Sequence, residues 1–278
     1  MSFDGRVTPL RDGVAARALE GVAPAEVYLD PKARACVVAA AGLHRAPDAA
    51  SEQMDQLLFG EVFDLLEEEA GGWIWGQARR DGYVGFVAAA SLAAPGPEPT
   101  HRVAAIRTYA FAGPSIKAQA SGPYSLNALV AVEAEEGRLR KIAGGGWIAA
   151  EHLAPVGVFE TDPAAVAERF LGAPYLWGGR ESLGLDCSGL VQQALMACGR
   201  ACPRDADQQA GLGEPIDRQA FGRNDLVFWE GHVAIGLDDA RIVHANGHHM
   251  MVAIEPLDET IARIAAAGHG QPTGYRRI

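Results

Sequence analysis

Apolar and polar positions alternate over short distances in the first half of the chain. From Cys36 to Leu92, apolar runs of a few residues are separated by residues that favour turns. The predicted strands cover residues 61–66, 73–78 and 83–87. Glycines at 71 and 72 and the Asp81-Gly82 pair favour tight turns between them, because these residues adopt positive φ at low cost. Short strands at this spacing indicate a small β-barrel or sandwich.

A repeat indicates a second module of the same kind. Residues 85–92 begin with glycine and an aromatic residue and end with leucine, and the pattern recurs about 60 residues later at 146–153. Three prolines within residues 95–99 indicate a stiff linker between the copies. The predicted divisions are an N-terminal arm at 1–30, β-modules at 31–95 and 100–158, and a third domain at 159–278.

The third domain opens with helical patterns. Asp162 followed by proline predicts a helix start, and Gly172 predicts its end. The expected apolar face of this helix carries Val166, Phe170 and Leu171. A second helix is predicted from Cys187 to about Cys198, with Asp186 as its N-cap. Its expected apolar stripe is Leu190, Val191, Ala194, Leu195 and Cys198.

Strand patterns follow these helices. Apolar runs predict strands at 225–229, 232–237, 241–245 and 250–254. Helices that precede an antiparallel set of strands favour an α+β domain. The predicted fold class is therefore multidomain, with two small all-β barrels followed by an α+β domain.

Composition and charge narrow the function classes. The chain has 278 residues, of which 49% are hydrophobic and 21% charged, so extensive disorder is excluded. A formal net charge of −11 disfavours binding to nucleic acid or to an anionic membrane surface. Four cysteines do not suggest a disulfide framework. The first residues lack a cationic stretch followed by an apolar run, so we expect a cytoplasmic protein.

One cysteine stands where nucleophilic chemistry would be favoured. Cys187 lies at the predicted start of a helix, where the helix dipole favours a thiolate over a thiol. A cysteine nucleophile needs a base and a group that orients the base. His232 and His244 lie on neighbouring predicted strands, and a hairpin centred on residue 238 would place both imidazoles on one face.

Spacing alone leaves other interpretations open. A single cysteine in a helix is often a small core residue. The chain has eight histidines, and His248 and His249 lie close to His244 along the sequence. A zinc site formed by Cys187, His232 and His244 is the structural alternative, although no fourth ligand is evident.

The motifs around these residues resemble a known family. They occupy residues 174–179, 185–191, 203–208, 231–235 and 242–245. In order and spacing this set resembles the NlpC-type family of cell-wall cysteine peptidases, and the strands before it look like bacterial SH3-like domains. The resemblance implies a papain-like catalytic domain. It also implies that Cys187 is the nucleophile, His232 the general base and His244 the orienting residue, with Tyr175 assisting the oxyanion. We expect neither a cofactor nor a metal.

A subset of that family carries tandem SH3-like domains and acts on murein peptides with a free N-terminal L-Ala. Resemblance to this subset implies that Asp205 binds the substrate amine. It further implies substrate contacts for Asp186, Ser188 and Trp177, and for Tyr83 and Glu52 from the first SH3-like module. Four of these positions also have structural interpretations: Tyr83 as barrel core, Asp205 and Asp186 as helix caps, and Glu52 as a solvated charge.

The expected function is cleavage of murein peptides after γ-D-Glu, releasing L-Ala-γ-D-Glu, during cell-wall recycling. The expected partner is the murein peptide alone, with no nucleic acid, no membrane and a monomeric chain. The alternatives are a murein-peptide binding protein, and an endopeptidase or amidase of the same fold with an open substrate groove. Neither the diamino acid that follows γ-D-Glu nor the oligomeric state follows from the sequence.

Overall fold

The computed structural model describes residues 3–278. The chain divides into two compact units, one that ends at Val156 and one that runs from Gly157 to Ile278. The first unit contains both predicted β-modules, and the second contains the predicted α+β domain. The predicted division at 158 and 159 lies two residues beyond this boundary, and the finer domain limits stay predictions.

The N-terminal arm is folded as a small sheet, which its sequence pattern did not predict. Its strands are β1 (Leu10–Arg11), β2 (Val14–Ala16) and β3 (Val27–Leu29), with a 3-10 helix at Arg17–Leu19. Ala16 and Leu29 pack against Trp75 and Phe86. The guanidinium of Arg11 lies over both aromatic rings, at 4.8 and 4.9 Å from their centroids. The arm therefore covers apolar surface of the first barrel.

The first β-module is a seven-stranded sheet. Its strands are β4 (Lys32–Cys36), β5 (Ala40–His44), β6 (Gln53–Leu58), β7 (Val62–Glu69), β8 (Trp73–Ala78), β9 (Val84–Ala88) and β10 (Leu92–Ala93), in the order β10-β4-β7-β8-β9-β5-β6. The strands predicted at 61–66, 73–78 and 83–87 are confirmed to within a few residues. Gly82 has a φ of +83°, as expected for the predicted turn. Alternate side chains such as Leu43, Phe63 and Ile74 fill the core.

The second β-module has the same strand-rich character. Its strands are β11 (His101–Val103), β12 (Arg107–Phe111), β13 (Ala120–Ser125), β14 (Leu129–Val130), β15 (Val132–Glu136), β16 (Leu139–Ile142), β17 (Trp147–Ala149) and β18 (Leu153–Pro155). They form the sheets β14-β11-β18 and β13-β12-β17-β16-β15. Leu58 and Phe59 of the first module join Val103, Ile142 and Ile148 in one buried cluster. The two modules thus share apolar core.

The sequence repeat corresponds to a structural repeat. In each copy a strand is followed by a 3-10 helix, Ala89–Ser91 or Ala150–His152, and then by another short strand. The leading glycine allows close approach of a neighbouring strand. A Cβ at Gly85 would collide with the side chain of Leu43, and one at Gly146 with the carbonyl oxygen of Phe111. The repeated glycine is therefore required by packing.

The second unit contains four helices: α1 (Pro163–Glu168), α2 (Cys187–Ala197), α3 (Ala206–Gln209) and α4 (Leu257–Ala266). The predicted caps are confirmed, because Asp162 accepts a hydrogen bond from the Ala165 backbone and Asp186 accepts one from the Gly189 backbone. Helix α1 ends four residues before Gly172, and Leu171 is 47% exposed, so its assignment to the apolar face was wrong. Every residue of α2 is buried.

An antiparallel six-stranded sheet forms the rest of this unit. Its strands are β21 (Glu214–Ile216), β22 (Leu226–Trp229), β23 (His232–Gly236), β24 (Arg241–Asn246), β25 (Met251–Pro256) and β26 (Gly274–Arg277), in the order β21-β26-β22-β23-β24-β25. A small hairpin, β19 (Arg180–Glu181) with β20 (Gly184–Leu185), precedes α2, and a 3-10 helix covers Arg218–Ala220. Leu257 and Ile264 of α4 pack against Val227 and Ile242 of the sheet. The four strands predicted from apolar runs are confirmed, whereas β21, β26 and α4 were not predicted.

The predicted register of the β23–β24 hairpin was wrong by two residues, because a centre at 238 would pair Ile235 with Arg241. Ile235 pairs with Val243, which centres the hairpin on residue 239 and not on 238. In the turn, the Asp238 side chain accepts hydrogen bonds from the backbones of both Ala240 and Arg241. Side chains alternate with a period of two, so this shift leaves His232 and His244 on a common face.

Within the described part of the chain, no helix combines the length and the apolar character needed to cross a lipid bilayer.

Candidate active site

Cys187 is the first residue of helix α2 and lies against the start of strand β23. Its Sγ is 4.0 Å from the carbonyl oxygen of Gly231. The backbone N–H groups of Val233 and Ser188 hydrogen-bond the sulfur. Since Val233 follows His232 directly, the strand that carries the candidate base begins at the candidate nucleophile.

A buried polar cluster fixes the start of α2. The Asp186 carboxylate accepts hydrogen bonds from the backbones of Gly178 and Gly189, at 2.9 and 2.8 Å. It also accepts from two nitrogens of Arg204 and from the Ser188 hydroxyl, which in turn accepts from Arg204. Asp186 therefore caps helix α2, in agreement with the structural interpretation of this residue from the sequence. A substrate contact by Asp186 or Ser188 stays a prediction.

The electrostatics of Cys187 differ from the expectation based on the helix dipole. Burial raises the pKa of the Cys187 thiol to about 12, and the negative charge of Asp186 acts in the same direction. The Val233 and Ser188 N–H groups and the charge of Arg204 oppose this shift without cancelling it. The free protein therefore holds a neutral thiol, because burial, assisted by the charge of the acid that caps the helix, outweighs the groups that favour a thiolate.

Three side chains form a continuous line of hydrogen bonds behind the candidate base, His232. Nε2 of His232 lies 2.8 Å from Nδ1 of His244. Nε2 of His244 lies 2.6 Å from Oε2 of Glu255, and the same oxygen accepts a hydrogen bond from Arg263 at 2.7 Å. The predicted pairing of the two histidines is thus present. Glu255 and Arg263 extend it.

Both imidazoles are neutral and the carboxylate is charged. Burial, with a smaller contribution from the nearby His244, lowers the pKa of His232 to about 3. Burial also lowers the pKa of His244, against the opposing effect of Glu255. Although burial alone would raise it, the pKa of Glu255 is lowered to about 2 by its hydrogen bond to His244 and the charge of Arg263.

The remaining predicted residues of this unit lie in more exposed positions. Tyr175 is half-buried, and burial together with the nearby Cys187 raises the pKa of its phenol. Trp177 is 59% exposed. Asp205 is the N-cap of α3, and its backbone N–H donates to the Gln208 side chain at 3.3 Å. The cap is compatible with binding an amine, since a carboxylate offers two oxygens.

Two predicted site residues belong to the first unit. Tyr83 is 4% exposed and packs in the core cluster of the first barrel, in agreement with its structural interpretation. Glu52 forms an ion pair with Arg45 at 2.7 Å. Their contribution to a substrate pocket stays a prediction.

Sequence reasoning missed Arg204, Glu255 and Arg263. Arg204 lies one residue before Asp205, in a motif where the resemblance implied a role for the acid alone. Glu255 pairs with Ile242 on β24, which places it on the same face as His244. An acid at this alternation beside a candidate histidine is a signal that the sequence contained. Arg263 had no comparable signal, because α4 was not predicted.

Family models match a part of each unit. Residues 43–92 match the bacterial dipeptidyl-peptidase SH3 domain. Residues 172–268 match the NlpC/P60 family, and this range contains Cys187, His232, His244 and Glu255.

Individual relatives and a solved structure agree with this assignment. Dipeptidyl-peptidase 6 of Lysinibacillus sphaericus is 27% identical over 248 residues, which cover 79% of this chain and 89% of that protein. Gamma-D-glutamyl-L-lysine dipeptidyl-peptidase of Bacillus subtilis is 39% identical over 102 residues, 33% of this chain and 34% of that protein. A Bacillus cereus NlpC/P60 family protein has the same fold at 20% identity, with a TM-score of 0.75 over 88% of this chain and 99% of its own. The chain is therefore a cysteine peptidase of the NlpC/P60 family, with a bacterial SH3-like domain ahead of its catalytic domain.

Proposed function

We propose that this peptidase hydrolyses murein peptides that have a free N-terminal L-Ala, and that it cuts after γ-D-Glu to release L-Ala-γ-D-Glu. The observation that carries the proposal is the joint presence of a dipeptidyl-peptidase SH3 domain and an NlpC/P60 domain in one chain. The dipeptidyl-peptidase of L. sphaericus, which aligns over most of both proteins, supports it. We further propose a role in cell-wall recycling in the cytoplasm.

In the proposed mechanism, Cys187 attacks the γ-glutamyl carbonyl while His232 removes the thiol proton. Proton removal accompanies the attack, because the thiol and the imidazole are both neutral before substrate binds. The resulting imidazolium protonates the leaving amine, and the acyl-enzyme thioester is then hydrolysed by water. The backbone N–H of Cys187, with Tyr175, would stabilise the oxyanion.

Selection for a free amine is assigned to Asp205 in this proposal. Its carboxylate is half-exposed in the same domain as Cys187. A charge-assisted hydrogen bond to an ammonium is worth about 1.5 to 3 kcal/mol, so losing it would cost about tenfold or more in kcat/KM.

Two peptides test the proposal. L-Ala-γ-D-Glu-L-Lys should be cut after γ-D-Glu, as shown by mass analysis of the products, and the same peptide acetylated at its alanine should be nearly inert. Asp205→Asn should narrow this difference by slowing the free-amine peptide alone. Asp207→Asn is the matched control, since Asp207 is exposed two residues further along α3.

Equal rates on the two peptides would contradict the dipeptidyl-peptidase activity. They would favour an endopeptidase, the activity named for Mycobacterium relatives that align over 36% of this chain. Binding of either peptide without any cleavage would favour a murein-peptide binding protein.

A further inference from the structure

The line of hydrogen bonds behind His232 has only one consistent arrangement of protons. Glu255 is ionised, so its oxygen accepts and Nε2 of His244 must carry the proton that it donates. His244 is neutral, which leaves its Nδ1 as an acceptor. Nε2 of His232 must then donate to that Nδ1.

This arrangement determines which nitrogen of His232 can act as a base. With its proton on Nε2, the neutral His232 ring has a free lone pair on Nδ1. We propose that Glu255 is a positioning residue that sets the tautomers of both histidines and so keeps Nδ1 of His232 ready to accept the Cys187 proton. It acts through His244.

The position of Arg263 explains why His244 needs the Glu255 carboxylate beside it. Its guanidinium donates to the same Glu255 oxygen that His244 uses. Without that carboxylate, N–H groups of Arg263 would face Nε2 of His244. His244 would then accept at Nε2, carry its proton on Nδ1 and donate to His232. The proton of His232 would move to Nδ1, the wrong nitrogen for a base.

Two substitutions of Glu255 separate its effect on the histidine tautomers from the effect of its negative charge. Glu255→Gln keeps an acceptor oxygen, which Arg263 holds towards His244, and removes only the charge, so kcat should fall about tenfold or less. Glu255→Leu removes the acceptor, and kcat should fall about 100-fold or more with KM little changed, because the wrong tautomer dominates. The double variant Glu255→Leu, Arg263→Met removes the competing donor and should recover part of the lost kcat. Glu259→Gln, an exposed acid on α4, is the matched control.

Imidazole ¹⁵N chemical shifts give a readout that does not depend on activity. The wild-type protein should show His232 protonated at Nε2, and Glu255→Leu should show the proton at Nδ1. A Glu255→Leu protein with wild-type shifts or wild-type kcat would overturn the proposal. So would equal losses in the Leu and Gln variants without a tautomer change, since that result would indicate a purely structural role.

A separate observation concerns a cavity of about 380 Å³ on the α4 side of the sheet. It is lined by His232 and His244, but Cys187 does not line it. In a thioester mechanism the acyl part of the substrate is bonded to sulfur, whereas the leaving amine receives its proton from the base. A cavity beside the base and away from the nucleophile therefore fits the leaving group, and its size is within the range of ligand sites.

Two charged side chains in the cavity wall are suited to a zwitterion. Arg263 uses one nitrogen for Glu255, and its other nitrogens have no hydrogen-bond partner within residues 3–278. Glu230, also in the wall, is exposed and has no ion pair among the same residues. We infer, on the basis of the proposed function, that this cavity binds the diamino-acid leaving group, with Arg263 at its carboxylate and Glu230 at its side-chain ammonium.

Pairs of substrates that differ in one charged group test each proposed contact with the leaving group separately. Any effect of Arg263 on the histidines should alter both members of a pair equally. The free-acid peptide L-Ala-γ-D-Glu-L-Lys is compared with its α-carboxamide, and Arg263→Gln should lower kcat/KM about tenfold more for the free acid than for the amide. Glu255→Gln should slow both peptides equally. Glu230→Gln should slow the peptide with a free lysine side chain, by about threefold or more, and spare its Nε-acetyl form. Arg218→Gln, at an ion pair with Asp258, should change neither rate.

The outcomes distinguish this inference from the proposed function. If wild-type protein cleaves none of these peptides, the proposed function fails. If it cleaves them but Arg263→Gln and Glu230→Gln leave both ratios unchanged, the cavity does not bind the leaving group. Because Glu230 is exposed, its variant should fold even if Arg263→Gln does not.

Discussion

Arg204 holds Asp186 with two nitrogens beneath the start of the catalytic helix, at 2.9 and 2.6 Å. Both side chains are buried, with Arg204 1% exposed. Asp186 also carries the backbone hydrogen bonds that cap α2. The ion pair thus joins the Arg204 loop to the helix that presents Cys187, and it fixes the position of the nucleophile.

Removing one partner of this pair should be strongly destabilising. Arg204→Met keeps much of the volume but leaves the Asp186 carboxylate buried without its countercharge, so the free energy of unfolding should fall by about 3 to 5 kcal/mol. Urea unfolding measures the change. The comparison variant is Arg218→Met, which breaks an exposed pair with Asp258 and should cost less than about 1 kcal/mol. Similar losses in the two variants would show that the Arg204 pair contributes no more than a surface pair.

The loss of activity at acidic pH should begin well below the pH range in which a histidine side chain ordinarily titrates. Burial lowers the pKa of His232 to about 3, from a usual value of 6.5, so the base remains unprotonated through mildly acidic pH. The rate constant kcat/KM should therefore not halve near pH 6.5, and any decline should come at lower pH. The measurement is kcat/KM against pH, with circular dichroism to confirm that the protein stays folded. A limb centred near 6.5 would contradict the neutral, buried His232.

Stability should fall as the solution becomes acidic. In the native state His232 and His244 stay neutral, whereas in the unfolded chain both bind protons near pH 6.5. The unfolded state therefore gains protons that the native state does not, and the unfolding free energy should decrease as pH falls below 6.5. Chemical unfolding at a series of pH values measures this slope. The double variant His232→Gln, His244→Gln should have a shallower slope, and an unchanged slope would assign the effect to other groups.

Alkylation of Cys187 should follow the chemistry of a neutral thiol. With its pKa raised to about 12, the thiolate fraction should increase about tenfold per pH unit through neutral and mildly basic pH. The labelling rate with iodoacetamide should rise accordingly, and activity should disappear in step with it. The half-buried Cys198 serves as the internal reference. A rate that is already constant at neutral pH would show a preformed thiolate.

Local patterns determined much of the architecture. Asp-Gly and Gly-Gly turns placed the strands of the first barrel, because turn residues select φ independently of the rest of the chain. Asp162 and Asp186 marked two helix starts, because a cap acts over three residues. The repeated glycine and aromatic residue of 85–92 and 146–153 marked equivalent strands. These features depend on contacts between sequence neighbours, and the sequence displays them directly.

The family resemblance of the motifs also predicted Cys187, His232 and His244 in one site, although the hairpin register was off by two residues. That error did no harm, because a period of two keeps His232 and His244 on the same face. The number of residues in a turn depends on side-chain capping by Asp238, which the strand pattern does not show.

Tertiary structure alone decided the charge states and the remote partners. Whether Cys187 is a thiol or a thiolate depends on burial and on the balance between the helix start and Asp186, and burial is a property of the whole fold. Arg204 and Arg263 could not be assigned from the sequence, since the residues that they contact are close only after folding. A sequence thus specifies which groups are available and which local turns they favour, whereas desolvation and long-range pairing appear only once the chain encloses them.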